Sequence, residues 1–484
     1  MTTVDVARPR TRSDDRRLVA CLIFGALSGA TVSGFGNPLV PEVARTQGVS
    51  LEAAQWTLTI TLIVGAIITP VVSRLGDGFR RRRIFIAALA AIATGSVIPA
   101  VFASFPGLLV GRSLQGLGYA LVPITIAIAS QHLPGPVLRR TLAWLSLSVA
   151  IGAGLANPII GLFVRYLDYR AAFLFAAALA VSGALVAWRV VPRSPTDGPP
   201  LGVDVPGGVL LAIGLGSGLL AVSRGDAWGW TSASVVALAA SSFVALGSWV
   251  CVELRVPSPL VDVRLASSPH LLGVNVTALT TGAAVFGGMS VVYRLIQAPT
   301  QAPAGLGQPL LVAGLMMLPL SFGSVLSPGL CRWLERWLSD RLTLALASVI
   351  MAAAFVYFAW AHTSLVQIAV VTFVVGLGFG IAYSVMPAMI VATAPPERTS
   401  SASGVNTVLR ITGGAIGGAV IAALLAASTP AGEDFPTEAG IVVAAITAAA
   451  LCVVAMLASL AFVRSLPPRV NLIGETVPDP VSGL

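Results

Sequence analysis

The ionisable side chains of this chain could exchange protons, and their positions limit where that chemistry could occur. All 20 acids lie in loops, in tails or at the ends of apolar segments, and none is near the centre of such a segment. A histidine or a carboxylate at a segment end can still titrate near neutral pH. The candidates for proton exchange are Glu42, Asp168, Asp226, Glu253 and His132.

A single acid among arginines forms the most charged turn of the chain. Residues 73–83 read Ser-Arg-Leu-Gly-Asp-Gly-Phe-Arg-Arg-Arg-Arg, with long apolar segments on both sides. So charged a turn cannot cross a bilayer, and therefore lies at one of its faces. We expect Asp77 to be retained for a task rather than for solubility.

Two arginines, Arg112 and Arg410, lie well inside apolar segments. A charged side chain at such depth is costly, so each should face a cavity and have a partner. The alternative for each is a structural role, in which the guanidinium binds backbone carbonyl groups.

Composition argues against several other classes of protein. The three histidines, at 132, 270 and 362, are far apart, so we expect no enzyme, no cofactor and no metal site. The chain has no lysine, so it contains no Gly-x-x-x-x-Gly-Lys nucleotide loop. Its net charge of +9 comes from arginines in short loops, which indicates membrane topology rather than nucleic-acid binding. A receptor or scaffold remains open.

The chain is predicted to be an all-α integral membrane protein. It is 56% hydrophobic and 10% charged, with a mean hydropathy of +0.90. Apolar runs of the length that a bilayer requires recur along it. Numbered as spans 1 to 14, they are residues 18–41, 53–73, 84–104, 106–131, 139–163, 171–191, 206–223, 232–253, 271–293, 310–331, 341–361, 364–393, 403–427 and 439–463.

The arginines orient these spans. With both termini on one side, that side receives 22 of the 29 arginines and the other receives five, with Arg224 among the five. Because positive residues concentrate in cytoplasmic loops, both termini are expected in the cytoplasm.

Two six-helix bundles with an inserted helix pair are the predicted domains. The Pro/Gly-rich segment before span 7 and the segment after span 8 set that pair apart. We divide the chain into a tail (1–16), a first bundle (17–192), a linker with spans 7 and 8 (193–269), a second bundle (270–465) and a tail (466–484). Acid-plus-arginine turns after spans 2 and 10 indicate an internal repeat.

Several blocks in sequence order resemble those of one family. They are Gln55-Trp56, residues 73–83, Gly111-Arg112-Ser113-Leu114-Gln115-Gly116-Leu117-Gly118, Trp228-Gly229-Trp230 and residues 398–418. Over nearly its whole length the chain resembles the fourteen-helix drug:proton antiporters of the major facilitator superfamily. That resemblance implies the major facilitator fold.

The resemblance implies a gating role for the charged turns. Asp77 would accept hydrogen bonds from arginine and from a helix N-terminus of the other half, and so latch the cytoplasmic side shut. The pattern departs from the family at Ser73, Gly78 and Arg80. The alternative is a topogenic charge cluster. The residues assigned to gating are Asp77, Arg81, Arg82, Glu335 and Arg336.

Arg112 and a small-residue motif in span 5 carry two further implied roles. In the family, the arginine that matches Arg112 is associated with proton transfer. Span 5 resembles the glycine/proline motif of antiporters, which implies helix bending at Gly154, Asn157, Pro158 and Gly161. Small-residue packing is the alternative for that motif.

The substrate is expected to be neutral or anionic and amphipathic. Many fourteen-helix relatives carry an aspartate in span 1, where this chain has Gly29. A cavity with buried arginine and no carboxylate disfavours permanent cations. Family geometry lines the cavity with spans 1, 4, 9 and 12; helix–helix bonding is the alternative role for each polar group there. The polar anchors assigned are Thr31, Asn37, Gln115, Asn275, Thr277, Thr281 and Tyr383.

The expected activity is export of a small molecule in exchange for protons, by alternating access. The partners would be the substrate, protons and the lipid of a bacterial plasma membrane, with the protein acting as a monomer. The alternative is a proton-independent facilitator or an importer of a small organic solute, which the missing buried carboxylates favour.

Overall fold

The structure, a computed structural model, describes residues 12–35, 39–77, 80–102, 104–192, 204–430 and 435–463. Those ranges contain no strand, and they hold the fourteen apolar helices long enough to cross a membrane that the sequence predicted. In order, spans 1 to 14 are Arg12–Ser33, Ala53–Gly76, Arg81–Val101, Phe105–His132, Gly135–Tyr166, Tyr169–Val190, Val205–Gly225, Ala233–Glu253, Leu271–Gln297, Leu310–Leu334, Asp340–Trp360, Leu365–Thr393, Pro396–Ala427 and Glu438–Phe462.

Serine side chains begin several of these helices. Each accepts a hydrogen bond from the backbone N–H three residues on, which satisfies an amide that the first helical turn leaves without a partner. The four capping serines are Ser50, Ser104, Ser232 and Ser364.

The predicted boundaries of span 1 are wrong at both ends. The helix begins at Arg12, where Asp14 and Asp15 in the first turn favour its N-terminus. It ends at Ser33 instead of residue 41, and a separate helix, Leu39–Gln47, follows. Glycine and proline in the sequence between these helices oppose one continuous helix.

Spans 4 and 10 are each interrupted. Span 4 consists of the helices Phe105–Gln115 and Gly118–His132, and span 10 consists of Leu310–Leu315 and Leu318–Leu334. The sequence predicted each as one uninterrupted segment.

Arg224 is a second correction. The sequence assigned it to a loop, whereas the structure places it in the helix Val205–Trp228, where it is only 2% exposed. Its guanidinium carbon lies 4.4 Å from the centroid of the Trp56 ring, a cation–π contact that compensates for part of the lost hydration. This contact attaches span 7 to the beginning of span 2.

Spans 1–6 pack among themselves, chiefly through the pairs 1–5, 3–6 and 3–4, and spans 9–14 do so through 9–13, 11–14 and 10–12. Two seams join these bundles, one between spans 2 and 13 and the other between spans 5 and 10. We call the end that holds Asp77, Arg81 and Arg398 the arginine-rich end, and the end that holds Gly161 and Leu311 the opposite end.

The inserted pair lies beside one seam. Span 7 packs against span 8 and against both span 2 and span 13. Only 17% of the apolar window of span 8 is buried, against 72% for span 4, so span 8 faces mainly outward. The exact domain boundaries remain predictions, and residues 1–11 and 464–484 of the predicted tails lie outside the described ranges.

Candidate functional site

Asp77 connects the two bundles at the arginine-rich end. It directly follows span 2, and its side chain is fully buried. The backbone N–H of Ser400 donates to Oδ1 at 2.8 Å, and that of Ser401 donates to both carboxylate oxygens at 3.2 Å. These amides lie in the first turn of the helix Thr399–Ala427, where N–H groups lack intrahelical partners and carry partial positive charge. The contact therefore holds one bundle against the other.

The surroundings of Asp77 place its titration close to neutrality. Burial raises the pKa of the Asp77 carboxyl to about 6, although the amides of Ser400 and Ser401 and the guanidinium of Arg74, 4.0 Å away, act in the opposite direction. The carboxyl group can therefore change its charge within the physiological pH range.

Arg81 forms a hydrogen bond to the other bundle, whereas Arg82 bonds within its own bundle. Arg81 donates to the carbonyl oxygen of Gly76 at 2.9 Å and, across the seam, to that of Pro396 at 3.2 Å. Arg82 instead donates to the carbonyl oxygen of Trp188, near the end of span 6 in its own bundle. Of the two, only Arg81 has a hydrogen bond across the seam among the residues that the structure describes.

Glu335 and Arg336 are both exposed. The partner of the Glu335 carboxylate is the thiol of Cys331, at 3.6 Å, within span 10. No hydrogen bond or ion pair in the described ranges ties either residue to spans 1–6. The second bundle instead contributes an ion pair between Arg398 and Asp262 at this end.

Arg112 is bound by backbone carbonyl groups. It is 1% exposed and donates to the carbonyl oxygens of Thr57 at 3.1 Å, Val32 at 3.2 Å and Ser33 at 3.4 Å. A fourth bond, of 2.7 Å, goes to the side-chain oxygen of Gln115. No acid pairs with Arg112 in the described part of the chain. These contacts fit the structural role, in which the guanidinium binds backbone carbonyl groups, whereas a role of Arg112 in proton transfer remains a prediction.

Gln115 belongs to the same network. Its amide donates to the Ser96 hydroxyl at 2.8 Å, and its backbone carbonyl accepts from the Ser33 hydroxyl at 2.7 Å. The hydroxyl of Thr61 donates to the Arg112 carbonyl at 3.1 Å. These bonds join spans 1 to 4, so the predicted substrate anchor Gln115 is engaged within the protein.

Arg410 has a different environment. It is 5% exposed, and its guanidinium carbon lies 4.0 Å from the centroid of the Tyr383 ring. The Tyr383 ring contacts that of Phe379, with centroids 3.9 Å apart and planes tilted by 36°. Its side-chain hydrogen bond, to the hydroxyl of Thr407, is long at 3.4 Å. Within the described ranges no carboxylate pairs with Arg410.

Spans 9 and 12 each contain a buried hydroxyl group that is available to a ligand. The hydroxyl groups of Tyr383 and Thr281 are buried and have no hydrogen-bond partner among the described residues. Tyr119, from span 4, packs against apolar residues of spans 2, 7 and 13. Because a buried polar group without a partner is costly, these hydroxyls can bind polar groups of a ligand.

The other predicted anchors are placed less favourably. Thr277 donates to a carbonyl of its own helix at 2.8 Å, and Asn275 accepts from the Asn406 amide at 3.3 Å. Both side chains therefore form hydrogen bonds within the second bundle. This is the alternative role, helix–helix bonding, that the sequence left open for them. Thr31 is buried in span 1, and Asn37 lies outside the described ranges.

The small residues of span 5 form the second seam. Span 5 is one helix, Gly135–Tyr166, with Pro158 inside it. A Cβ on Gly154 would overlap the Ser321 side chain, and a Cβ on Gly314 would lie 3.0 Å from the backbone of Asn157, so spans 5 and 10 approach closely toward the opposite end. The facing pairs are Gly154 with Ser321, Asn157 with Gly314 and Gly161 with Leu311. Bending at these residues remains a prediction.

Sequence reasoning missed Tyr119, the Arg398–Asp262 ion pair and the contact of Arg224 with Trp56. Trp56 was noticed only as part of a family block. An arginine close to a predicted span end, with an aromatic residue at the corresponding depth of another span, could have suggested that contact.

The comparisons with known proteins agree with this architecture. A family model described as Major Facilitator Superfamily matches residues 22–418 and again residues 306–481. An MFS-type transporter from Mycobacterium tuberculosis (strain H37Rv) is 25% identical over 84% of this chain, and this chain spans only 59% of its length. The cephamycin export protein CmcT of Amycolatopsis lactamdurans is 27% identical over 81% of each chain.

A solved structure shows the same fold. The human organic anion transporter MFSD10 superposes with a TM-score of 0.64 at 17% identity, over 92% of this chain and 99% of its own. At that identity the likeness concerns the fold alone.

Proposed function

This chain belongs to the major facilitator superfamily, and on that basis we propose that it exports a small, amphipathic, neutral or anionic molecule in exchange for protons. It works by alternating access, as a monomer in the cell membrane, with both termini in the cytoplasm. The arginine-rich end is then the cytoplasmic end.

The environment of Arg410 is the observation that best supports the proposed substrate class. Its guanidinium is buried against an aromatic ring and, among the described residues, has one side-chain hydrogen bond, which is long, so it retains donors for a ligand. The unsatisfied hydroxyls of Tyr383 and Thr281 add polar partners. A cationic drug would meet positive potential there without a counter-charge, whereas an anion or a polar neutral group would be attracted.

The two seams support alternating access. Asp77 and Arg81 join the bundles at one end, and Gly154 and Gly314 let spans 5 and 10 meet toward the other. A cycle that opens these contacts in turn exposes the centre first to one side and then to the other.

Export is supported by relatives rather than by geometry. The cephamycin export protein is similar over most of its length, and the glycine/proline pattern of span 5 resembles that of antiporters. The alternative is a facilitator or importer, which is favoured by the absence of any acid near the centre of a span.

Transport by the purified protein in liposomes tests the proposal. A panel of neutral, anionic and cationic drugs is offered with and without an imposed pH gradient. We expect gradient-dependent accumulation of neutral and anionic compounds. Equal export of cationic dyes would contradict the substrate class, and flux that only equilibrates the substrate under every gradient would identify a facilitator.

A further inference from the structure

Two buried carboxylates of the inserted pair face one another at the arginine-rich end. Asp204 caps span 7 and is 8% exposed, and Glu253 ends span 8 and is 4% exposed. A Cβ on Gly207 would contact both Oδ2 of Asp204 and Oε1 of Glu253, so the two carboxylates border the same small space.

The hydrogen bonds of this pair leave one oxygen without a donor. Glu253 Oε1 accepts from the indole N–H of Trp249 at 2.9 Å, and both Glu253 oxygens lie 3.4 Å from the backbone nitrogen of Val261. Asp204 Oδ1 accepts from the backbone N–H of Gly207 at 3.0 Å. Asp204 Oδ2 is buried and has no hydrogen-bond partner among the described residues. A buried carboxylate oxygen of this kind requires a donor.

The neighbouring charged groups do not supply one. Arg255 is exposed, Arg264 donates to the carbonyl oxygen of Leu254, and Arg398 pairs with Asp262. Span 7 packs on apolar residues of spans 2 and 13, and the buried Arg74 of span 2 has its ion-pair partner in Asp77. No ion pair within the described ranges includes either acid of the pair. Two unneutralised carboxylates in one buried space repel each other.

We propose that Asp204 and Glu253 together bind one proton. One carboxyl group carries this proton and donates a hydrogen bond to the other carboxylate, and the pair is a proton-coupling site of the transporter. The proton provides the donor that Oδ2 lacks and removes one of two adjacent negative charges. It belongs to the pair rather than to either residue.

A short path leads from this pair to the Asp77 contact. Glu253 binds the backbone of Val261, the next residue binds Arg398, and Arg398 directly precedes the helix whose first turn binds Asp77. Loss of the proton sets two negative charges against each other where span 7 begins, and strains that path. This coupling rests on the proposed proton antiport, whereas the proton site itself does not.

Infrared difference spectroscopy of the full-length protein in lipid nanodiscs, without substrate, tests the site. Because burial raises the pKa of Asp77 to about 6, the measurement is made in an Asp77→Asn background. We expect a protonated-carboxyl C=O band that shifts in D₂O, disappears as pH rises and is absent in Glu253→Gln. The control, Glu438→Gln, changes an exposed carboxylate and should keep the band.

A second variant guards against misfolding of the first. Asp204→Asn keeps the helix cap but removes one charge, so the band should persist and titrate at lower pH. An Asp77→Asn spectrum without the band, or a band unchanged in both added variants, would overturn the proton site.

Transport tests the coupling separately. In liposomes, Glu253→Gln should keep flux down a substrate gradient and lose accumulation driven by a pH gradient. If the variant still accumulates substrate as the wild type does, the coupling claim is wrong. If the wild type shows no proton-driven transport at all, the antiport proposal and the coupling with it fail, while the spectrum still decides whether the pair binds a proton.

Discussion

The carboxylate of Asp77 lies 2.8 Å from the backbone nitrogen of Ser400, which follows it by 323 residues. One end of this contact belongs to the close of span 2 and the other to the first turn of the span 13 helix. The contact therefore exists only while the two bundles are together at the arginine-rich end, and its strength depends on the charge of a single carboxyl group.

Acidification should favour this closed contact. Burial raises the pKa of Asp77 to about 6 from its usual 3.8, so the closed state binds the proton more tightly than an open state in which the carboxyl meets water. Falling pH through about 6 stabilises the closed state, and rising pH removes that advantage. Spin labels at the exposed positions 80 and 397, with the exposed Cys251 replaced by serine, should report a growing population of short distances. In a Glu253→Gln background, which lacks the proton of the inserted pair, Asp77→Asn should abolish the pH dependence; a dependence that persists there would assign it to another group.

Substitution of Arg410 should change substrate preference. Arg410→Gln removes the positive charge above the Tyr383 ring, so binding of anionic compounds should weaken by on the order of tenfold, as loss of a buried cation contact implies, while neutral compounds change less. Arg410→Lys should retain part of the preference. Equilibrium binding by the purified protein measures both, and equal losses for anionic and neutral ligands would show that Arg410 only supports packing.

Arg112 should matter more for stability than Arg410 does. Arg112→Ala removes four hydrogen bonds from a charged donor, to the carbonyl oxygens of Thr57, Val32 and Ser33 and to the side-chain oxygen of Gln115, each worth about 1.5–3 kcal/mol. Arg410→Ala gives up one long hydrogen bond. Thermal unfolding in detergent should therefore show the larger fall in Tm for Arg112→Ala. The reverse order would mean that the carbonyl contacts of Arg112 contribute little.

Two glycines of span 13 provide a matched pair for close packing. A Cβ on Gly413 would overlap the backbone carbonyl of Leu279 in span 9, whereas a Cβ on Gly418 would meet open space. Gly413→Ala should destabilise the protein by about 1–3 kcal/mol, and Gly418→Ala should leave it unchanged or slightly more stable. Unfolding midpoints in the same detergent compare them; equal effects would argue against the close contact of spans 9 and 13.

The spans were predictable because a bilayer dictates both the length and the hydropathy of the helices that cross it. The end of span 1 at Ser33 was less accessible, since the residues beyond it are apolar enough to continue a membrane segment. Hydropathy measures partition and does not show where a helix breaks.

Side-chain partners were harder to predict. The family resemblance implied that Asp77 meets a helix N-terminus, but which amides it meets depends on how the bundles dock. Arg112 and Arg410 look alike as arginines in apolar segments, yet one is bound by carbonyl groups and the other lies over an aromatic ring. Only the packing of distant helices distinguishes them.

Span 7 touches a helix of each bundle, span 2 on one side and span 13 on the other. Any rocking that separates Asp77 from Ser400 must therefore slide at least one bundle along span 7. The inserted helices therefore add a third packed element to the seam between the bundles. When the bundles separate at this seam, span 7 either stays with one bundle and slides along the other, or slides along both. Which of these two motions occurs determines how far each bundle can rotate before span 7 loses its contact with one of them.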